Sequence, residues 1–258
     1  MSQMTDPAAK SALDDFDQDL DRVEQLLRLI HTFRDFAGED AELSGYAKDL
    51  YDVAQVARTD LPVLSGSLLL YLVGRFESFV RQLVGTIVDD LVDKSASYGD
   101  LPPALRKEVL TRTLQINQNP SKFNHDATSA AALAAQLASN LASPTTSSSF
   151  YVDALTATIT ESNMRPDILA ELFKRVGINA VWDTLGKQLA LKTFLGEVGD
   201  DGCKKAAVAR LDDIMSERNK IAHPTGNALF PDASTVEDVA RYFRVLGQLL
   251  FELAIAPR

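Results

Sequence analysis

From residue 65 to residue 94 the chain carries two adjacent apolar stripes at helical spacing. Leu68, Leu72, Phe76, Phe79, Leu83, Ile87 and Leu91 form one, and Leu69, Val73, Val80, Val84, Val88 and Val92 the other. A half-buried strand would alternate, so spacings of three and four predict a helix. Stripes this wide cover so much of the helix circumference that several neighbours are needed to bury it. The segment therefore commits the chain to a helix-on-helix core. Gly74 and Gly85 lie off the two stripes, where another helix can approach closely.

The same period recurs along the chain. Leu13, Phe16, Leu20, Val23, Leu27, Ile30 and Phe33 predict an amphipathic first helix ending near Gly38, and a second follows over residues 41–58. Leu61-Pro62 then interrupts the pattern. Pro102-Pro103 opens a helix to about residue 117, and the Ala-rich residues 128–141 form another. Residues 143–149 read as a loop, and 150–161 as a short extended piece or a helix. A helix over 166–176 has Asp167 near its start and is stopped by Gly177. Residues 180–195 continue as helix, with Trp182, and a further helix spans 204–222. Pro224, Gly226 and Pro231 enforce a loop before the final helix, 235–253, which Ser234 or Thr235 can cap. The fold class is all-α, without repeats or βαβ alternation. The domain reading is one domain over residues 1–258, with 1–60 as an N-terminal helical extension and a loop at 143–149.

Charge narrows the function. There are 36 acidic residues against 26 Lys and Arg, a net charge of −10, so no broad positive field exists to coat nucleic acid. The longest unbroken apolar run, residues 68–73, is far below the roughly 18 residues of a membrane span. The polar N-terminus reads as no signal peptide, and a lone cysteine, Cys203, allows no internal disulfide. The cytoplasm is the expected location, with no membrane partner.

Two acidic clusters invite a metal reading. Asp14, Asp15, Asp17, Asp19 and Asp21 lack the glycine and terminal glutamate of a calcium loop, and read as a solvated helix face. Asp89-Asp90-Leu91-Val92-Asp93 has no second acidic motif to face it. No glycine-rich phosphate loop and no nucleophile elbow are present, so neither a metal nor a cofactor is expected. His31 reads as a helix-boundary residue and His125 as a loop or cap residue. His223 differs, because it follows Arg218-Asn219-Lys220-Ile221-Ala222 and precedes Pro224. On an unbroken helix Arg218 and His223 would point about 140° apart. Pro224 disfavours helical geometry at His223, so the helix should end there and free the imidazole. Arginine forks phosphate oxygens and histidine moves protons near neutrality. The alternative is that both residues merely cap a helix C-terminus.

Arg218-Asn219-Lys220-Ile221-Ala222-His223 resembles the motif of HEPN domains, the nucleotide-binding domains of higher eukaryotes and prokaryotes. In that family an arginine, often followed by a polar residue, precedes a histidine by a few positions. The context is similar too: the motif ends a penultimate helix, and a Pro/Gly loop and an amphipathic helix follow. Gly74-Arg75-Phe76-Glu77-Ser78-Phe79-Val80-Arg81 looks like part of the long helix that precedes the motif in bacterial members. Residues 163–182, with Arg165-Pro166-Asp167 and Gly177-Ile178, are similar to the middle of the RiboL-PSP-type group. The likeness covers roughly residues 61–253 and leaves the acidic first helix outside.

The resemblance implies an antiparallel helical bundle, with additional N-terminal and middle helices. It also implies a metal-independent endoribonuclease of toxin–antitoxin or antiviral-defence type. His223 would act as general acid/base, Arg218 would stabilise transition-state charge, and Asn219 would orient the site or hydrogen-bond the phosphate. Lys220 and Glu77 are weaker substrate-binding candidates: Lys220 through phosphate, Glu77 by pairing with Arg218, against the ordinary pairing of Glu77 with Arg81 one turn on. A single motif histidine per chain implies a homodimer with a composite active site on an RNA substrate. An antitoxin or regulatory partner would fit a toxic nuclease. The alternative is a non-catalytic module that binds RNA, a nucleotide or a protein.

Overall fold

A computed structural model describes residues 7–38, 44–145, 150–223 and 229–256. The described elements are α-helices and short 3-10 turns, with no strand among them. They are α1 (Pro7–Phe36), α2 (Tyr46–Ala57), α3 (Leu61–Lys94), α4 (Pro103–Gln118), α5 (Ala127–Ala142) and the single turn α6 (Ala154–Ala157). The chain continues through α7 (Pro166–Arg175), α8 (Val181–Gly186), α9 (Leu189–Leu195), α10 (Asp200–Ala222) and α11 (Ala233–Ile255). The expected loop at Pro224 and Gly226, and the 146–149 part of the loop before α6, lie outside the described residues.

The doubly striped segment is α3, and it is the hub. By length and composition it could cross a membrane. Here its Leu72, Val73, Phe76, Val80 and Leu83 are wholly buried among other helices. α1 and α11 pack along it, with α10 alongside. Phe16 of α1 stacks on Phe79, centroids 4.8 Å apart, and Phe76 stacks on Phe243 of α11 at 4.2 Å. Offset ring pairs of this kind add to the area they bury.

α1 is part of this core. Leu20, Val23 and Leu27 are fully buried in it. Its acidic face is not simply solvated, contrary to the sequence reading. Asp19 is 2% exposed and accepts hydrogen bonds from Tyr71 Oη (2.6 Å) and Arg75, both on α3. Arg244 of α11 gathers Asp17, Asp21 and Glu24. The face is acidic because basic residues of the neighbouring helices meet it.

Several helix ends follow the sequence signals. Pro103 opens α4, and Gly177 ends α7 at φ 90°, where Ile178 N–H reaches back to the Phe173 carbonyl at 2.9 Å. Others differ. Pro62 sits in the first turn of α3 rather than breaking the pattern, since a helix's first N–H groups have no intrahelical partner to lose. Asp232, not Ser234 or Thr235, caps α11, its carboxylate accepting the Thr235 N–H at 2.8 Å. The helix expected over 180–195 is two short ones, α8 and α9. Gly186 lies where they divide, and a Cβ there would fall 2.7 Å from the Asp200 carbonyl oxygen at the start of α10. That close approach requires glycine.

Candidate active site at the end of helix α10

α10 buries Cys203, Ala207, Leu211, Ile214 and Met215 on one side. Its polar residues face the opposite way, toward the lead-in to α7. It ends where Pro224 predicts. His223 leaves the helix at φ −130° and ψ 67°, with its N–H still bonded to the Asn219 carbonyl at 3.0 Å. The imidazole is exposed, while Arg218 and Asn219 are half-buried.

Asn219 is the junction of this end. Its Oδ1 accepts one hydrogen bond from Arg218 Nη1 (3.1 Å) and another from Asn163 Nδ2. A guanidinium has only donors, so the atom facing Arg218 must be the oxygen. The Asn219 amide NH₂ is then turned away from both partners and has no acceptor among the described residues. Arg218 forms no ion pair with a carboxylate among the described residues. Lys220 is exposed and pairs with Glu217 at 3.1 Å.

Residues 157–165 lead from α6 into α7 and are held by side chains of α7, α3 and, at Asn163 and Arg165, α10. The buried Arg175 of α7 donates to the Ala157 and Ile159 carbonyls at 3.0 and 2.9 Å. Arg81 of α3 donates to Thr160 Oγ1 at 3.0 Å. Glu77 of α3 accepts the Met164 N–H at 2.9 Å. Arg165 then pairs with Asp212 and reaches Ser216 Oγ at 3.4 Å, both on α10. Asp212, Ser216 and Asn219 follow one another along one face of α10, so this strap fixes the helix face that ends in the motif.

Of the two readings of Glu77, the structure shows the pairing with Arg81 and not the one with Arg218. Its carboxylate is 12% exposed and faces the Met164 N–H and Arg81, 3.7 Å away. A carboxylate at this border satisfies a backbone donor that burial would otherwise leave without water. Its influence on Asn219 is indirect, through Met164 and the adjacent Asn163. Arg165 carries part of the resemblance and Asn163 begins the same stretch, but nothing in the sequence assigns either of them to the site. No spacing rule links them to residues about fifty positions away.

The other candidates lie apart from this site. His31 sits 3.2 Å from Glu237 at the start of α11, and His125 3.3 Å from Ser129 Oγ. Asp90 pairs with Lys94 one turn on. Cys203 is buried, and loss of solvent pushes its thiol pKa up. Among the described residues no three His, Cys, Asp or Glu side chains gather in a metal-binding group.

The end of α10 thus offers a guanidinium without a carboxylate partner among the described residues, an amide group and an exposed imidazole. The helix dipole does not assist an anion there, because the C-terminal end is negative. Charge for an anion there must come from side chains. The model of the RiboL-PSP-HEPN family matches residues 34–255. No curated protein and no solved structure gives a match.

Proposed function

The chain belongs to the RiboL-PSP-type HEPN family, and on that premise we propose that it is a metal-independent endoribonuclease with its active site at the end of α10. The observation that carries the reading is the arrangement of Arg218, Asn219 and His223. Arg218 has no carboxylate partner among the described residues and is steadied by Asn219, and His223, four residues on from Asn219, leaves the helix end exposed to solvent. A residue that only capped the helix would have no need of the strap that fixes Asn219.

The reaction is attack of a ribose 2′-oxygen on the adjacent phosphorus. A base removes the 2′-hydroxyl proton, the new P–O bond forms, the bond to the 5′-oxygen breaks, and an acid protonates the leaving oxygen. The products are a 2′,3′-cyclic phosphate and a 5′-hydroxyl end. His223 handles a proton, Arg218 stabilises the charge on the five-coordinate phosphorus, and the Asn219 amide donates to a phosphate oxygen. Lys220 adds a nearby positive charge. One imidazole cannot take and give a proton at once, so a homodimer places two copies of the motif in one cleft. A cytoplasmic toxin or antiviral-defence role suits such an activity.

The test is incubation of purified protein with transfer RNA and total RNA in EDTA. Cleavage should occur, and His223→Ala should lose about a hundredfold or more in rate. Undiminished cleavage by His223→Ala, or a requirement for magnesium, would overturn the mechanism. Binding without cleavage would favour the non-catalytic module. Growth arrest on expression, relieved by His223→Ala, would support the toxin role.

A further inference from the structure

α2 is apolar on both of its sides. Its inner side packs on the end of α1: Ala54 is fully buried, Tyr51 meets Phe36 edge to face with centroids 5.6 Å apart, and Gln55 Nε2 donates to the Ala37 carbonyl at 3.2 Å. At about 100° per residue, Tyr46, Leu50, Val53 and Val56 share an arc about 120° wide on the other side. They are 93, 52, 62 and 79% exposed. Asp49 is the one charged residue of α2 within that arc. A surface helix turns polar residues outward, so apolar residues on both sides mark a helix that is covered on both.

The apolar surface continues onto α1 and α3. Asp19 of α1 binds Tyr71 and Arg75 of α3, so the helix faces that carry them are neighbours. Leu26 and Leu29 lie on the Asp19 face of α1, and Leu64 on the Tyr71 face of α3; all three are exposed. Phe16, before Asp19, stacks on Phe79, after Tyr71, so the two helices run antiparallel. Leu26 and Leu64 then each lie about two turns from the Asp19–Tyr71 bond, toward the end that holds α2. Together these seven residues expose roughly 800 Å², more than the roughly 300–600 Å² of the largest apolar patch on a typical monomer and close to the ~800 Å² each partner gives a stable interface. The same end carries the motif. Phe230, between α10 and α11, lies on Gly66 of α3, where a Cβ would fall 2.5 Å from its ring. His31 near the end of α1 meets Glu237 at the start of α11. The ends of α1 and α10 and the starts of α3 and α11 therefore share one end of the bundle with α2.

We propose that this end is the face on which a second copy of the chain docks, about a two-fold axis that sets the two motifs side by side. The inference rests on the nuclease reading, in which one chain brings one motif imidazole while proton removal and proton donation take two. The uncovered apolar surface lies at the end where the second imidazole is needed, and its area matches one side of a dimer contact. A two-fold contact buries the same patch on both copies, so the outer arc of α2 meets the same arc of its copy.

Sedimentation velocity of the full chain tests the docking face. The native chain should sediment as a dimer at micromolar concentration. Val53→Glu and Val56→Glu each place a charge in the outer arc of α2, where both residues are exposed, so the melting temperature should hold. The dimer dissociation constant should rise about a hundredfold or more in each. Leu189 of α9 is 76% exposed, and Leu189→Glu adds the same charge on another helix and should leave the dimer intact. RNA cleavage per chain should fall on dilution in step with loss of the dimer. A native chain that stays monomeric, a dimer that both α2 variants leave intact, or equal loss of the dimer in Leu189→Glu would overturn the docking face. So would a monomer that attaches to phosphatidylcholine vesicles through Val53 and Val56. The two proposals fail separately. A dimer that depends on Val53 and Val56 but cleaves no RNA would remove the nuclease reading alone. Cleavage that needs His223 but is carried out by a monomer would remove the docking face alone.

Discussion

Asn219 Oδ1 receives both Arg218 and Asn163, so one side-chain oxygen links the motif arginine to the strap. Further back, Glu77 holds the Met164 N–H at 2.9 Å. If this chain positions Arg218, its members should affect cleavage in a graded way. Asn163→Ala is expected to slow cleavage about tenfold, the equivalent of one lost hydrogen bond, with a nearly unchanged melting temperature. Glu77→Ala should do as much, whereas Glu77→Gln retains a carbonyl acceptor for Met164 and should keep most of the rate. Steady-state cleavage by the three variants checks this; equal losses in Glu77→Ala and Glu77→Gln would instead assign the effect to the carboxylate charge. Arg218, Asn219 and His223 were legible in the sequence because they are contiguous and a proline follows them. Asn163 was not, because 56 residues separate it from Asn219 and only the packing of α7 against α10 brings them together.

Among the helices, α1 shows how an acidic face can belong to the interior. Asp19 loses solvent, which pushes its carboxyl pKa up, but hydrogen bonds from Tyr71 and Arg75 outweigh that and hold it below the usual 3.8. The sign for stability follows. The carboxylate stabilises the fold fully above pH 3.8, and the contribution is lost as the pH falls through the lower folded value. Asp19→Asn should therefore cost about 1–3 kcal/mol at neutral pH, by leaving Arg75 and Arg22 without their anion. The gap between variant and native chain should narrow in acid below that point. Urea unfolding at pH 7 and at a series of pH values falling from 3.8 measures both. The run of aspartates was visible in the sequence, and so was the apolar stripe that places α1 against other helices. The partners of Asp19 were not, since Tyr71 and Arg75 belong to a distant helix whose rotation against α1 is set by the Phe16–Phe79 stack.

For the molecule as a whole, charge and symmetry decide what the site can do. The acid of α1 is largely met by Arg244, Arg75 and Lys10. Arg218, in contrast, carries its charge at the end of α10 without a carboxylate partner among the described residues. Doubling that end across a two-fold axis would double its cations and supply both proton-transfer groups. Mixed dimers of an Arg218→Ala chain with a His223→Ala chain should then cleave faster than either variant alone, because one arginine and one histidine remain in the shared cleft. They should stay well below the native rate; activity no higher than the single variants would mean that the two motifs work separately. The sequence by itself determined the helical class, the central place of α3, most helix ends and the three motif residues. Each of these depends on near neighbours in the chain, through period, capping or proline geometry. Tertiary structure alone decided the burial of Asp19, the acceptor role of Glu77 toward Met164 and the strap from Asn163 to Arg165. These join residues from separate helices, and the rotation and register of packed helices are set by the fit of whole faces, which no local spacing encodes.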